Sequence, residues 1–422
     1  MAGGLAGYAE VVRARYAARL LAGTLVGRLP CATAAVTIVL FARAEGATYS
    51  LAGVLAAVYG VANAVGQPLL GRLVDLRGQP KVQLPAAVGA AAAMAVFAWS
   101  GLDPLWQAYT AVVVSGLLTP PLEGGLRALW PSVLKREEQV HTAYAMDAVA
   151  QEVMFTLGPL LVTVCVSVWS ERAALLVINA VGVLGALSVV VSPPARAWRS
   201  APREAHWLGA LRSPALLALL GACVFVGVAL GSITVASVPY ADEHGGDVVY
   251  GWLMAAIGFG ALVGGTVYGA RSWRGPAERR LVVIVALLAV CYVPLTLRPG
   301  APAMVALTVL AGVFLAPALT CAFVLVDRYA PRGTVTEAFS WLVTMFTVGQ
   351  SAGAGLAGPV VEAGGTLWGF AVPSLAGGAA LLVLLATRRV MAVPAADGVV
   401  VVSSENDPNR AAEPRFSSGD RA

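Results

Sequence analysis

Arg28, Asp147 and Glu152 lie inside stretches of this sequence that are otherwise almost free of charge. An ionisable group at the centre of such a stretch costs about 2.5–3.5 kcal/mol or more in an apolar medium, so each needs a partner or a task. Arg28 falls about twelve residues into its apolar run and Glu152 about nine or ten into another run of the same direction. At about 1.5 Å of rise per residue their depths agree to about 3–5 Å, within reach of an arginine. The expected arrangement is an Arg28–Glu152 ion pair, with Asp147 one shallow turn away. Two roles fit this pair. Glu152 can exchange a proton or sense a substrate while Arg28 holds it ionised, or the two can form a permanent bridge that neutralises a buried charge. Glu123 and Arg127 stand four apart, a favourable acid-before-base spacing on a helix. They read either as a self-neutralising pair or as part of a charge network with Asp147. Tyr59, Asn63, Gln67, Tyr109, Asn179 and Gln350 are polar groups in apolar runs, able to line a cavity or to hydrogen-bond one helix to another.

Other chemistry is excluded by what is missing. The five cysteines, Cys31, Cys165, Cys223, Cys291 and Cys321, sit in apolar runs without CxxC spacing, so neither disulfides nor a metal site is expected. No GxxxxGK[ST] loop marks a nucleotide-driven pump. No paired acids of DxxxD type mark a metal-dependent membrane enzyme. No catalytic residue, cofactor or metal is therefore assigned.

The elements that must position these groups follow from composition. Hydrophobic residues make up 58% of the 422 positions and charged residues 12%, about half of the roughly 25% usual in soluble domains. Mean hydropathy is +0.78. Such a chain belongs in a bilayer, whose core of about 30 Å takes about 20 apolar residues per helix. Twelve runs qualify, near 17–41, 50–71, 82–101, 105–126, 142–168, 173–192, 214–239, 249–270, 281–297, 302–326, 336–361 and 366–387. All are expected to be helical, because lipid offers the backbone no partners. The first run is too long, and too broken by Arg28 and Pro30, to be a cleaved leader, so it is expected to be retained.

Of the 28 Lys and Arg, all but Arg28, Arg43, Arg172 and Arg298 fall on one side of this twelve-span weave. The positive-inside rule then places both termini in the cytoplasm. The net charge of +5 is thus a mark of topology and gives no reason to expect a nucleic-acid partner. The division is an N-terminal six-helix bundle over 1–192, a cytoplasmic linker over 193–213, a C-terminal six-helix bundle over 214–390, and a disordered tail over 391–422. The halves repeat each other. A shift of 198 positions sets Gly53, Leu55, Ala57, Gly60, Val65, Gly66 and Gly71 against Gly251, Leu253, Ala255, Gly258, Val263, Gly264 and Gly269. Gly158-Pro159 answers Gly358-Pro359 at nearly the same shift. Six helices separate the copies, so the repeats are parallel.

After the second run comes Gly71-Arg-Leu-Val-Asp75-Leu-Arg77-Gly78-Gln79-Pro80-Lys81. This resembles the signature loop of the major facilitator superfamily in Gly71, Leu73, Asp75 and Gly78. Leu76 stands where the family has Arg, and Gln79-Pro80 where it has a basic pair, with Arg77 and Lys81 one position away. The resemblance implies an all-α membrane protein of twelve spans, carrying small solutes by alternating access, as a monomer, across a bacterial-type cytoplasmic membrane. It implies a gate in which Asp75 meets the start of the eleventh helix, near Thr336, and holds the two halves together. The alternative is a basic topological anchor with an incidental acid. In the second copy Asp75 faces Trp273, so the latch is expected to be asymmetric. Gly158-Pro159 is similar to part of the motif of the family's exporters, although Met154, Val162 and Thr163 replace its flanking glycines. The expected activity is proton-coupled efflux of amphipathic molecules, with import of a sugar or other metabolite as the second reading.

Overall fold

The computed structural model describes residues 2–202, 206–271, 273 and 275–392, and every regular element among them is helical. In chain order these are α1 (Ala2–Arg13), α2 (Ala17–Ala44), α3 (Tyr49–Arg77), α4 (Gln79–Ser100), α5 (Leu105–Leu117), α6 (Leu122–Val133), α7 (Glu137–Val168) and α8 (Glu171–Val190). There follow α9 (Pro193–Ala197), α10 (Pro214–His244), α11 (Asp247–Gly269), α12 (Ala277–Tyr292), α13 (Ala301–Gly312), α14 (Leu315–Tyr329), α15 (Val335–Ala386) and α16 (Arg388–Met391). By length and apolarity nine described helices can cross a membrane, or ten with the bent α7 counted as one span. The expected tail falls, from residue 393 onward, outside the described residues.

The helix ends follow local chemistry. Thr48, Ser170, Ser192 and Ser213 each accept a hydrogen bond from the backbone N–H three residues on, capping α3, α8, α9 and α10. Gly78, at φ 87°, turns the chain from α3 into α4, and Gly365, at φ 78°, divides α15 into two helical arms. Two differences from the sequence reading have a proline behind them. The fourth run is broken between α5 and α6, because Pro120 and Pro121 supply no backbone N–H. The ninth ends in a tight turn over Val293–Leu297 that contains Pro294. A third difference is α1, a helix ahead of the first apolar run; Gly3, Gly4 and Gly7 hide its periodicity.

Small residues let the helices approach closely. Gly185 of α8 lies against Gly27 of α2, so that a Cβ there would stand 2.7 Å from the Gly27 Cα. Gly349 and Gly353 of α15 meet the backbone of α10 at Val224 and Val228 in the same way. Replacing Gly185 with Val is therefore expected to destabilise the N-terminal half. Overpacking of this kind costs about 1–3 kcal/mol, readable as a lower unfolding midpoint in detergent, while Gly53→Val, where nothing lies within 4 Å of the added atom, leaves the midpoint unchanged. The outer surface is apolar at Leu69, Leu160, Val164, Leu184, Val290, Leu375 and Leu382, all exposed. Exposed Trp99, Trp106, Trp169, Trp252 and Trp368 cluster at one end of the bundle, an interfacial aromatic belt. The opposite end carries α1, α9, the turn over Gly209–Arg212 and α16.

Candidate functional site

Contacts between the two halves begin at the end that carries α1 and α16. Gly71 of α3 packs on Ser340 and Thr336 of α15, and Gly124 of α6 on Thr336. Thr142 of α7 donates to the Gly269 carbonyl of α11 at 3.1 Å. The contacts reach mid-bundle at Thr344, which donates to the Ala64 carbonyl, and at Val149 against Gly265. Beyond this level the same helix faces part. Gly53 and Gly60 share a face of α3 with Ala64 and Gly71 by helical spacing, yet nothing lies within 4 Å of a Cβ placed at either. Gly355 and Gly358 of α15 and Gly251 of α11 are equally free. The bundle is closed at one end and splayed at the other.

At the closed end Asp75 does for α15 what that helix does not do for itself. The residue at the α15 N-cap, Thr334, makes no side-chain capping bond. Asp75 Oδ1 instead accepts from the Thr336 N–H at 3.1 Å and Oδ2 from the Glu337 N–H at 2.9 Å. A carboxylate of one half thus caps a helix of the other, satisfying two orphan donors and meeting the positive end of the helix dipole. Gly71 lies one turn away on the same seam, and Gly78 makes the turn that follows. Arg77 and Lys81 are exposed, and no ion pair of either occurs among the described residues. Arg72, not singled out in the sequence, donates to the Trp207 carbonyl of the linker at 2.8 Å. Glu337 Oε1 accepts from the Ala210 N–H, tying the linker to α15.

Nearer mid-bundle, four charged groups gather inside the N-terminal half. Arg28 Nη2 is 2.7 Å from Glu123 Oε1, and its Nη1 is 3.2 Å from Asp147 Oδ1. Arg127 Nε is 2.6 Å from Asp147 Oδ2, and its Nη2 is 3.4 Å from Glu123 Oε2. The Gln151 amide oxygen accepts from both arginines, at 3.3 and 3.2 Å. Asp147 and Arg127 are wholly buried. Two acids and two bases leave the cluster neutral, the condition under which buried charges are tolerable. The Arg127 guanidinium carbon also stands 3.7 Å from the Phe323 ring centroid of α14 and 5.8 Å from that of Phe339 in α15. A cation–π contact thus joins the cluster to the other half.

This corrects the expected Arg28–Glu152 pair, since Arg28 is held by Glu123 and Asp147. Depth was matched but helical phase was not. Asp147 and Gln151, four apart, share the face turned to α2 and α6, whereas Glu152 lies about 100° further round. Glu152 instead shares a stripe with Ala145 and Val149, the residues of α7 packed on α11. It is 8% exposed and follows Val149, which packs on Gly265 of α11, by three residues. Sequence reading missed Gln151 and Phe323; the four-residue step from Asp147 was a usable signal for the first, and none existed for the second.

Tyr59, Asn63 and Gln67 form a polar seam along α3. Tyr59 bonds the Thr119 hydroxyl at 3.0 Å, Asn63 reaches Cys31, and Gln67 donates to Asn63 and to the Thr119 carbonyl at the α5–α6 break. Tyr59 and Asn179 line a cavity of about 20 Å³ there, room for a single water. Tyr109 is not with them: it packs against the apolar cluster around Phe41 and Phe97. Gln350 lies in the C-terminal half, its backbone pressed on Gly227 and Gly231. A groove of about 620 Å³ runs between α2, α7 and α11, lined by Leu21, Leu25, Met146, Val153 and Leu157, with Tyr8 at one end.

A family model described as Major Facilitator Superfamily matches residues 20–304. The chain belongs to the major facilitator superfamily. No curated protein matches it by sequence. Among solved structures it is similar to a bacterial homologue of the iron transporter ferroportin in its outward-facing state, with 15% identity and a TM-score of 0.71 over 89% of this chain and 100% of that one. It is similar to the human organic anion transporter MFSD10 at 18% identity, TM-score 0.62, over 87% and 96%. The E. coli fucose:proton symporter FucP is similar at 13% identity, TM-score 0.66, over 87% and 97%. Superfamily members are secondary transporters of small molecules in membranes, and this chain is a secondary transporter with their fold.

Proposed function

We propose that this transporter is a twelve-span, proton-coupled exporter of small amphipathic molecules, with both termini in the cytoplasm. The observation that carries the reading is the neutral cluster of Arg28, Glu123, Arg127 and Asp147, linked through Arg127 to Phe323 of the opposite half. Adding one proton to either acid leaves this buried cluster with a net positive charge and weakens its hold on Arg127, which is also the residue that touches α14. Proton occupancy and the relation of the halves then share a residue. Among the described residues the charged side chains at mid-depth, Arg28, Glu123, Asp147 and Glu152 included, belong to the N-terminal half. That half handles protons and also supplies most of the lining of the apolar groove, to which α11 adds Thr266. The apolar groove of α2, α7 and α11 favours amphipathic cargo.

In this topology the closed, basic end is cytoplasmic, the open end external, and the gate of Gly71, Asp75 and Gly78 stabilises the outward-open state. Labelling single cysteines near each terminus tests the topology: both should react only from the cytoplasmic side, and termini on opposite faces would overturn it. Glu152, on the α7 stripe of Ala145 and Val149 that packs on α11, is assigned as the carboxylate that exchanges its proton with cargo. The test is uptake into inside-out vesicles or proteoliposomes under an imposed pH gradient, with a panel of amphipathic compounds. Glu152→Gln is expected to abolish gradient-driven accumulation while retaining downhill exchange. Accumulation unchanged in Glu152→Gln removes the assignment, and cargo flux blind to the gradient removes proton coupling.

A further inference from the structure

The internal repeat makes the α7–α11 seam the counterpart of the α15–α3 seam, with the end of α11 in the place of the end of α3 and the start of α7 in the place of the start of α15. On the first seam Asp75 bridges those two ends. On the second, Trp273 occupies the position of the acid, stacked on Tyr268 with its indole N–H on the Tyr268 carbonyl, and it reaches no part of α7 in any hydrogen bond of the described residues. Arg136, at the N-cap of α7, provides no side-chain cap.

A segment from outside the repeat lies across this gap. Tyr8 of α1 donates to the Thr266 carbonyl of α11 at 2.9 Å and lies 3.3 Å from the Gly265 carbonyl. Gly269 leaves the space that the Tyr8 hydroxyl fills, since a Cβ there would collide with it. Two residues on, and so from the other side of α1, Glu10 pairs with Arg136 and accepts from Gln139 at the start of α7. Val11, 1% exposed, belongs to the main buried apolar cluster and pins α1 into it. Thus α1 holds the last turn of α11 with a hydroxyl and the first turn of α7 with a carboxylate.

We propose that α1 is the second latch of the closed end, taking the place of the acid that the repeat lost, and that opening this end requires Tyr8 to leave α11. The proposal rests on alternating access between the two halves. It is independent of cargo and coupling ion.

The test is a distance measurement between spin labels at Glu138→Cys and Arg271→Cys, exposed positions on the two sides of the seam, in the full-length protein. Protein without the two added cysteines corrects for the five native ones. Tyr8→Phe keeps the ring and removes the hydroxyl. Loss of one such hydrogen bond corresponds to an increase of about fivefold in the wide-distance population. Glu10→Arg is expected to widen the seam as well, and adding Arg136→Glu to restore the original distribution. A segment that merely anchors the chain at the membrane surface predicts something different: lower yield on deletion of residues 2–9, with unaltered distances in the protein recovered. Unaltered distances in Tyr8→Phe and in Glu10→Arg overturn the latch, whether or not the protein transports. Cargo flux blind to the pH gradient, with the distance shifts intact, would instead count against proton coupling and leave the latch standing.

Discussion

Asp147→Asn is expected to lower proton-driven transport by about 100-fold and to lower the unfolding midpoint of the protein. Asp147 is wholly buried and accepts from Arg28 at 3.2 Å and from Arg127 at 2.6 Å. The amide leaves two guanidinium groups with Glu123 as their one carboxylate, a buried cluster of net positive charge. Breaking a buried pair by removing one partner costs about 3–5 kcal/mol, and each 1.4 kcal/mol is about tenfold in an equilibrium. Rebalancing separates stability from function. Asp147→Asn combined with Arg28→Gln restores neutrality, so the midpoint should recover toward that of the native protein. Transport should not recover, because the Arg127 link to Phe323 loses the acid that governs it. Glu123→Gln should be milder in both respects, since Glu123 is 18% exposed and water can serve its arginines. Thermal unfolding in detergent and gradient-driven uptake give the two readouts. Full recovery of uptake in the double variant would mean that the cluster is structural.

The difference between what the chain discloses and what it conceals is visible in this cluster. Depth is legible: a span rises by a constant increment per residue, so the sequence reading could set Arg28 and Glu152 at similar levels, with Asp147 one turn shallower. Azimuth is not. Apolar residues cover α2 and α7 on all sides, because lipid and helix neighbours are equally apolar, and the pattern gives no phase from which to decide whether Asp147 or Glu152 turns toward Arg28. Loops are legible where a rare residue must serve a turn, as at Gly78. The fold class could be read from composition and from the alternation of basic loops, and the contact of Asp75 with the start of α15 lies where the motif points. Partners that carry neither charge nor motif, such as Phe323 under Arg127 and Tyr8 on Thr266, leave no local trace. The break in the fourth run was present in the sequence as Pro120-Pro121, and its meaning depended on Gln67 being near enough to take the Thr119 carbonyl.

Gly71→Val is expected to hold the end that carries α1 and α16 open and to reduce transport by about 100-fold, with folding intact. A Cβ at Gly71 would stand 2.5 Å from the Ser340 hydroxyl oxygen, 3.0 Å from the Thr336 carbonyl oxygen and 3.1 Å from the Glu337 Cα. Two of these neighbours are backbone of α15 and cannot swing aside as a side chain does. The obstruction exists only when the halves meet, since Gly71 packs across the seam and not within its own bundle. Each half therefore keeps its own packing, and the equilibrium shifts between two folded states. Thr344→Cys, at the deepest contact of this seam, reports the shift. A membrane-impermeant thiol reagent added from the side of α1 and α16 should modify it slowly in the otherwise native protein and rapidly with Gly71→Val. Asp75→Asn should act in the same direction but more weakly, because the amide retains the shape of the side chain and one accepting oxygen, and loses one of the two N–H bonds together with the charge that meets the α15 dipole. That interaction is worth about 0.3–2 kcal/mol, a shift of about 2- to 30-fold. Equal protection of Thr344→Cys in all three backgrounds, with transport retained, would sink the gate and leave the loop a topological anchor. The order of effects is itself informative: a gate held mainly by contact ranks Gly71→Val first, whereas a gate held mainly by charge would reverse the ranking.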